Sequence, residues 1–424
     1  MAPSAGSLLL SGGTLIDGTG AAPIPNAAVL VEDGRVAYAG PRVGLGQPAA
    51  ARTLDTTGKT ITPGLIDLHN HSLFDSEMRV YLKNGVTSIR FAGVQQADVV
   101  ALRARVESGA IPGPRIFSCG PMLDGVPASY PQWAVELRSP QEADQVARRL
   151  LAQDRVEALL VVQQITPELL RPIVQAAHEV GRPVLGQIWF TDARQASEIG
   201  IDQLDNTARV FASREYPPER LTSYRSVAER LQLFSRGWAA IDWELTRPLM
   251  DAMVQHDVPF CSTIVVHEHQ AGVGIAELEA DPDFQTMYGE PERQEWARFL
   301  DYVQGSWSEE DHHLMGIAVD KRLEWMARFR ELGGRLLVGA DMQFGGIMLH
   351  RELGNVARAG LSPLEVITAA TGHAGDALRM ADQLGTLRPG RLADLLVLNR
   401  DPLQDLRALR DIAHVVKGGE IVRV

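Results

Sequence analysis

The chain has 424 residues, 45% of them hydrophobic, enough to bury a large core and too many for one small domain. Its formal net charge of −12 argues against nucleic acid and anionic membrane surfaces as partners. Two cysteines, Cys119 and Cys261, supply no disulfide framework and point to a reducing, cytoplasmic setting. No apolar run is long enough to span a bilayer, and the first residues lack the basic stretch of a signal peptide.

Taken in order, residues 1–60 read as short strands broken by turns at Gly12-Gly13, Asp17-Gly18 and Glu32-Asp33-Gly34-Arg35. Residues 386–424 have the same character, so both ends are expected to build one small composite β-sandwich domain. Between them, residues 61–385 alternate apolar strand-like runs with amphipathic helical stretches. Eight strands are predicted, at 61–69, 86–92, 115–119, 156–162, 183–188, 203–206, 259–266 and 335–341. Eight βα units fit a TIM (β/α)8 barrel. An open doubly wound sheet is the alternative, but no glycine-rich phosphate loop follows any strand. Residues 268–316 interrupt the alternation with a polar, acidic and aromatic stretch, read either as a lid over the barrel mouth or as a helical decoration facing solvent.

The first barrel strand ends in His69 and His71. Strand side chains alternate with period two, so both imidazoles point to one side and can reach one divalent cation. The other reading is a solvated pair at a strand terminus. His267 and His269 follow the seventh strand, and His267 is the better candidate for a ligand, substrate contact or acid–base group. His178 and His256 fall within helices and read as structural. Residues just beyond strand ends include Tyr130, Trp133, Trp189, Phe190, Met342, Gln343 and Phe344, which suit the wall of a pocket for a bulky, partly apolar substrate. Arg90 ends the second strand and could face a substrate carboxylate or a structural acid.

Four stretches together resemble the amidohydrolase superfamily, in its imidazolonepropionase-like and prolidase-like branch. They are Thr62-Pro63-Gly64-Leu65-Ile66-Asp67-Leu68-His69-Asn70-His71, Gly85-Val86-Thr87-Ser88-Ile89-Arg90, Leu337-Val338-Gly339-Ala340-Asp341, and the tail from Leu384 to Leu398. The resemblance covers essentially the whole chain. It implies a metal-assisted hydrolase in which His69, His71 and Asp341 hold one metal. Family members with two metals add a carboxylated lysine on strand 4 and histidines on strands 5 and 6. Here the first position falls near Leu160, and no lysine lies between Lys83 and Lys321. The histidine positions fall on Gln187 and Asn206, which are poor zinc ligands but competent hydrogen-bonding groups for substrate.

The expected function is therefore mononuclear hydrolysis of an amide or cyclic amide C–N bond in a small organic substrate. The single divalent metal would be Zn²⁺ or Fe²⁺, with Asp341 moving the proton. One alternative is a metal-free lyase, isomerase or cyclase that uses the same histidines and Asp341 as acid–base groups. Another is a non-catalytic binding protein on an enzyme fold. A homo-oligomer is compatible with either.

Overall fold

The structure, a computed structural model, describes residues 7–45, 52–205, 208–341 and 343–423. Its centre is built from parallel strands. β1 (Leu65–Asn70), β2 (Val86–Phe91) and β3 (Arg115–Ser118) form one three-stranded sheet. β4 (Leu159–Gln163), β5 (Val184–Ile188), β6 (Gln203–Asp205), β7 (Phe260–Ser262) and β8 (Leu336–Val338) run side by side in a seven-stranded sheet. Two short strands, Met122–Asp124 and Ala134–Glu136, complete its other edge. Apart from Arg115, every residue of β1 to β8 is buried, as expected for parallel strands covered by helices.

Backbone hydrogen bonds tie both edges of the three-stranded sheet to the seven-stranded one. Asp341 N donates to His69 O at 2.8 Å beyond β8, and Glu157 N donates to Ser118 O at 2.9 Å before β4. The first and last strands approach closely because Gly339 has no side chain. A Cβ there would lie 2.7 Å from that of His69.

Two predicted strands are corrected. The run 61–69 is two strands. Thr60–Pro63 pairs antiparallel with Leu395–Leu398, and β1 starts only after Gly64. The run 259–266 shortens to β7, because Val265–Gln270 is a helix. The β-branched Ile264-Val265-Val266 favours a strand locally. The buried carboxylate of Glu352 overrides that preference by accepting from Val265 N at 2.8 Å, which satisfies an amide at the start of the helix.

The described N- and C-terminal strands meet in one sheet. Leu8–Ser11, Ala27–Glu32, Arg35–Pro41 and Arg52–Asp55 form one sheet. Thr14–Leu15, Thr60–Pro63, Leu395–Leu398, Ile412–Lys417 and Glu420–Val422 form a second. One apolar cluster takes Leu10, Val29 and Val31 from the first and Ile61, Leu395 and Val416 from the second.

Four helices matter for the site. They are α1 (Val227–Ala239), α2 (Val265–Gln270), α3 (Glu309–Glu331) and α4 (Gly345–Arg358). Between α2 and α3 the inserted segment buries Leu278, Phe284, Tyr288 and Trp296 against Phe344 and Met348. Gln343 Nε2 also ties it down by donating to Glu295 Oε1 at 2.7 Å. No helix among the described residues is long and apolar enough to cross a membrane.

Candidate active site

β1 delivers His69 at its carboxyl end, and His71 follows one residue beyond it. β8 leads into Asp341, held in the left-handed region with φ 53°. A non-glycine residue there is unusual and marks a position fixed by its surroundings. Three atoms converge: His69 Nε2, His71 Nε2 and Asp341 Oδ1. The separations are 3.3 Å between the two nitrogens, 2.9 Å from His71 to Asp341 and 3.4 Å from His69 to Asp341. Tetrahedral metal–ligand bonds of about 2.0–2.1 Å put ligand atoms about 3.3–3.4 Å apart, so the cluster is close to metal-ready. Among the described residues, it is the group of three or more His, Cys, Asp or Glu side chains able to share an ion.

The surroundings set the chemistry of each ligand. His69 Nδ1 donates to Asp205 Oδ2 at 2.7 Å, and both side chains are fully buried. That bond fixes the tautomer and leaves the Nε2 lone pair facing the cluster. Burial alone would lower the His69 pKa, but the carboxylates of Asp341 and Asp205 outweigh it and raise it above the ordinary value. Gln187 Nε2 lies 3.3 Å from His69 Nε2, as a donor into that lone pair. Thr263 Oγ1 donates to Asp341 Oδ2 at 3.2 Å, which leaves Oδ1 for the cluster. Asp67 Oδ1 accepts from His69 N at 3.1 Å and from Ala340 N at 3.0 Å, clamping the first strand to the last. Burial pushes the Asp67 carboxyl up to about 7. The His71 side chain is 32% exposed and that of Asp341 12%, so the cluster opens on the His71 side.

The other expected site residues are placed as follows. Gln187 joins the cluster. Its neighbour across β4 is Val162, not Leu160, which pairs with Leu185. Leu160 and Val162 are both apolar and fully buried. Asn206 and Met342 lie outside the described residues. His267 is 1% exposed, stacked on Phe234 at 4.9 Å, with Nδ1 accepting from Arg322 Nη1 at 2.7 Å. Burial and that guanidinium hold its pKa well below the ordinary value, so it stays neutral and is poorly suited to shuttle protons near neutral pH.

Packing, not a pocket wall, accounts for two aromatics. Trp189 is fully buried, stacked on Phe234 at 5.7 Å, with its indole N–H on Leu221 O. Phe344 is fully buried among Phe284, Tyr288 and Trp296. Arg90 points inward, with Nε donating to Leu68 O at 2.8 Å. Tyr130 is half-buried, and its hydroxyl accepts from Arg230 Nη2 at 2.6 Å.

Sequence reasoning missed Asp205, Asp67 and Thr263. Asp67 carried a readable signal: it stands two residues before His69 on a strand with period two. Asp205 and Thr263 become partners only through the fold.

At the opposite end of the strands, a cavity of about 720 Å³ is lined by His178, Asp202, His256, Arg335, His373 and Asp376, among others. There His178 Nε2 meets Asp202 Oδ2 at 2.8 Å, and Arg335 pairs with Asp257 at 2.9 Å.

Fold and cluster together describe a parallel α/β protein with a candidate metal centre at the carboxyl ends of its strands. A sequence profile of the Amidohydrolase family matches residues 60–422, and the chain belongs to that family. Curated relatives align only in part. A 5-methylthioadenosine/S-adenosylhomocysteine deaminase of Symbiobacterium thermophilum is 44% identical over 66 residues, 15% of each chain. An imidazolonepropionase of Acidiphilium cryptum is 30% identical over 120 residues, 28% of each chain. The matches thus span well under a third of those relatives. Solved structures align along the whole chain. A putative prolidase from Bifidobacterium longum superposes with a TM-score of 0.72 at 25% identity, covering 100% of this chain and 96% of that one. A bottromycin amidohydrolase gives a TM-score of 0.78 at 21% identity, covering 99% and 87%.

Proposed function

We propose that the protein hydrolyses an amide or cyclic amide C–N bond in a small, partly apolar molecule at a centre that holds one divalent metal. The observation that carries this reading is the convergence of His69 Nε2, His71 Nε2 and Asp341 Oδ1, with Asp205 holding the far nitrogen of His69. Two imidazoles and a carboxylate suit Zn²⁺ or Fe²⁺. When bound, such a cation acidifies water and polarises the scissile carbonyl.

The chain's own residues do the rest. Asp341 Oδ1 stands where it can take a proton from the attacking water and return it to the leaving nitrogen, while Thr263 steadies Oδ2. Asp205 keeps the His69 ring in one orientation. Gln187 offers a neutral amide where the family's second metal would be completed, so a single-metal centre fits this chain. The same family membership supports reading the two parallel sheets, linked through both edges of the three-stranded one, as one closed (β/α)8 barrel. It also supports reading the two terminal sheets as a composite β-sandwich domain. The unpaired, buried Cys119 and Cys261 favour the cytoplasm.

Metal analysis of the purified protein, combined with hydrolysis assays on amide and cyclic amide panels, tests the proposal. About one equivalent of zinc or iron, lost together with activity on chelation, is the expected result. Turnover that survives complete metal removal would replace it with the metal-free reading, in which the histidines and Asp341 transfer protons unaided.

A further inference from the structure

The cavity of about 720 Å³ opens at the amino ends of β5, β6 and β8, away from His69, His71 and Asp341. Its inner wall includes Leu185, Ile201, Leu337 and Gln203, all but sealed from solvent. Gln203, 1% exposed, is the polar member of that group. Its Nε2 donates to Asp205 Oδ1. Its Oε1 is buried and has no hydrogen-bond partner among the described residues. Buried polar atoms are as a rule paired, so a bare carbonyl oxygen in a cavity wall calls for a donor.

The charges around the opening are unequal. Asp202, Asp257, Asp376 and Asp382 face only Arg335 and Arg379. Arg379 pairs with Asp202 and Arg335 with Asp257, which leaves Asp376 and Asp382 without a cation. Burial and the Arg335 cation hold the His373 pKa below the ordinary value, so this imidazole adds no positive charge near neutral pH. The opening therefore favours a cation, the apolar wall a short hydrocarbon, and Gln203 Oε1 a donor at its far end.

Gln203 also leads to the cluster. It stands two residues before Asp205 on β6, on the same face. Asp205 Oδ2 accepts from His69 Nδ1. One carboxamide thus separates the cavity from the carboxylate that orients a candidate metal ligand. A donor on Gln203 Oε1 would polarise the amide and strengthen the bond from Nε2 to Asp205. Asp205 would then hold His69 less strongly, and Nε2 would become a weaker ligand.

We infer that this cavity is an effector site for a small aliphatic amine with a second hydrogen-bond donor at its far end. The ammonium sits by Asp376 and Asp382, the far donor reaches Gln203 Oε1, and binding lowers metal affinity through Asp205 and His69. The coupling rests on the single-metal reading; the binding does not.

The test is calorimetry on the purified protein with aminobutanol, butylamine, which lacks the far donor, and butanediol, which lacks the charge. Aminobutanol should bind saturably, and each of the others at least about fivefold more weakly. Gln203→Met should bring aminobutanol down to the level of butylamine. Asp376→Asn combined with Asp382→Asn, both on the exposed rim, should bring it to the level of butanediol, and serves if Gln203→Met does not fold. No saturable binding, equal affinities for the three probes, or a preference untouched by these variants would overturn the site. Saturating aminobutanol should weaken zinc binding by about fivefold, with zinc weakening aminobutanol by the same factor, and butylamine should do less. Zinc affinity that ignores aminobutanol would overturn the coupling. Aminobutanol binding in a protein that takes up no metal would sink the single-metal reading alone. Zinc binding without aminobutanol binding would sink the effector site alone.

Discussion

The two ends of the parallel strands both gather histidines and acids, yet they are built on opposite logic. At the amino end, several charged groups are paired with one another: His178 and Arg379 with Asp202, and Arg335 with Asp257. The cavity there is roomy, about 720 Å³, but much of its charge is spent on holding loops to strands. At the carboxyl end, His69, His71 and Asp341 turn one lone pair each toward a common point, with His69 held from behind by Asp205 and Asp341 by Thr263. Room for a ligand points to the amino end, whereas converging donor atoms point to the carboxyl end. Convergence of donor atoms, two of the three oriented from behind, is the guide to chemistry.

Four measurements bear on that contrast, beginning with the largest expected effect. Asp341→Asn should lower kcat/KM on the best amide of a panel by about 10²–10⁴-fold, the range of a lost acid–base group. His178→Ala, at the amino end, should leave kcat/KM within about twofold. Comparable losses at both ends would erase the distinction. Asp205→Asn should weaken metal affinity by about 10–100-fold in competition with a chromophoric chelator, as removal of a ligand's orienting carboxylate does. Unchanged affinity would show that Asp205 only fills space.

Zinc held at about a hundredfold over its Kd should stabilise the folded protein by about 2.7 kcal/mol in chemical denaturation, and His71→Ala should remove that gain. His373, in the amino-end cavity, is expected to give the smallest signal. Burial, then the Arg335 cation, lowers its pKa below the ordinary histidine value of 6.5. The unfolded chain takes up the proton first as pH falls through that value, so stability present above it declines toward acid. His373→Gln should flatten part of that acid slope and leave stability above neutral pH unchanged. A variant with the same slope as the parent would mean that His373 titrates alike in both states.

Much of this was legible before any coordinates. The eight parallel strands stand near their expected places because buried parallel strands read as apolar runs between helical periods. His69 and His71 announced themselves by spacing, and Asp341 by its family motif. What could not be read depends on contacts distant in sequence. Thr62-Pro63 and Leu65-Ile66 look like one strand until Leu395–Leu398 claims the first pair as its neighbour. Val265 and Val266 look like strand until Glu352 caps them into a helix. Trp189 and Phe344 sit just past strand ends, where pocket walls arise, but aromatic neighbours from α1 and the inserted segment enclose them.

The clamp made by Asp67 has a consequence for biosynthesis. His71 and Asp341 are 270 residues apart, and the carboxylate of Asp67 reaches 273 residues to the amide of Ala340. A nascent chain emerging from the ribosome displays both histidines early, long before their third partner is made. Until the last strand docks, it carries an incomplete chelate with weak hold on any cation. On the single-metal reading, loading with metal would wait until the end of synthesis, and prematurely terminated fragments would lack a complete site.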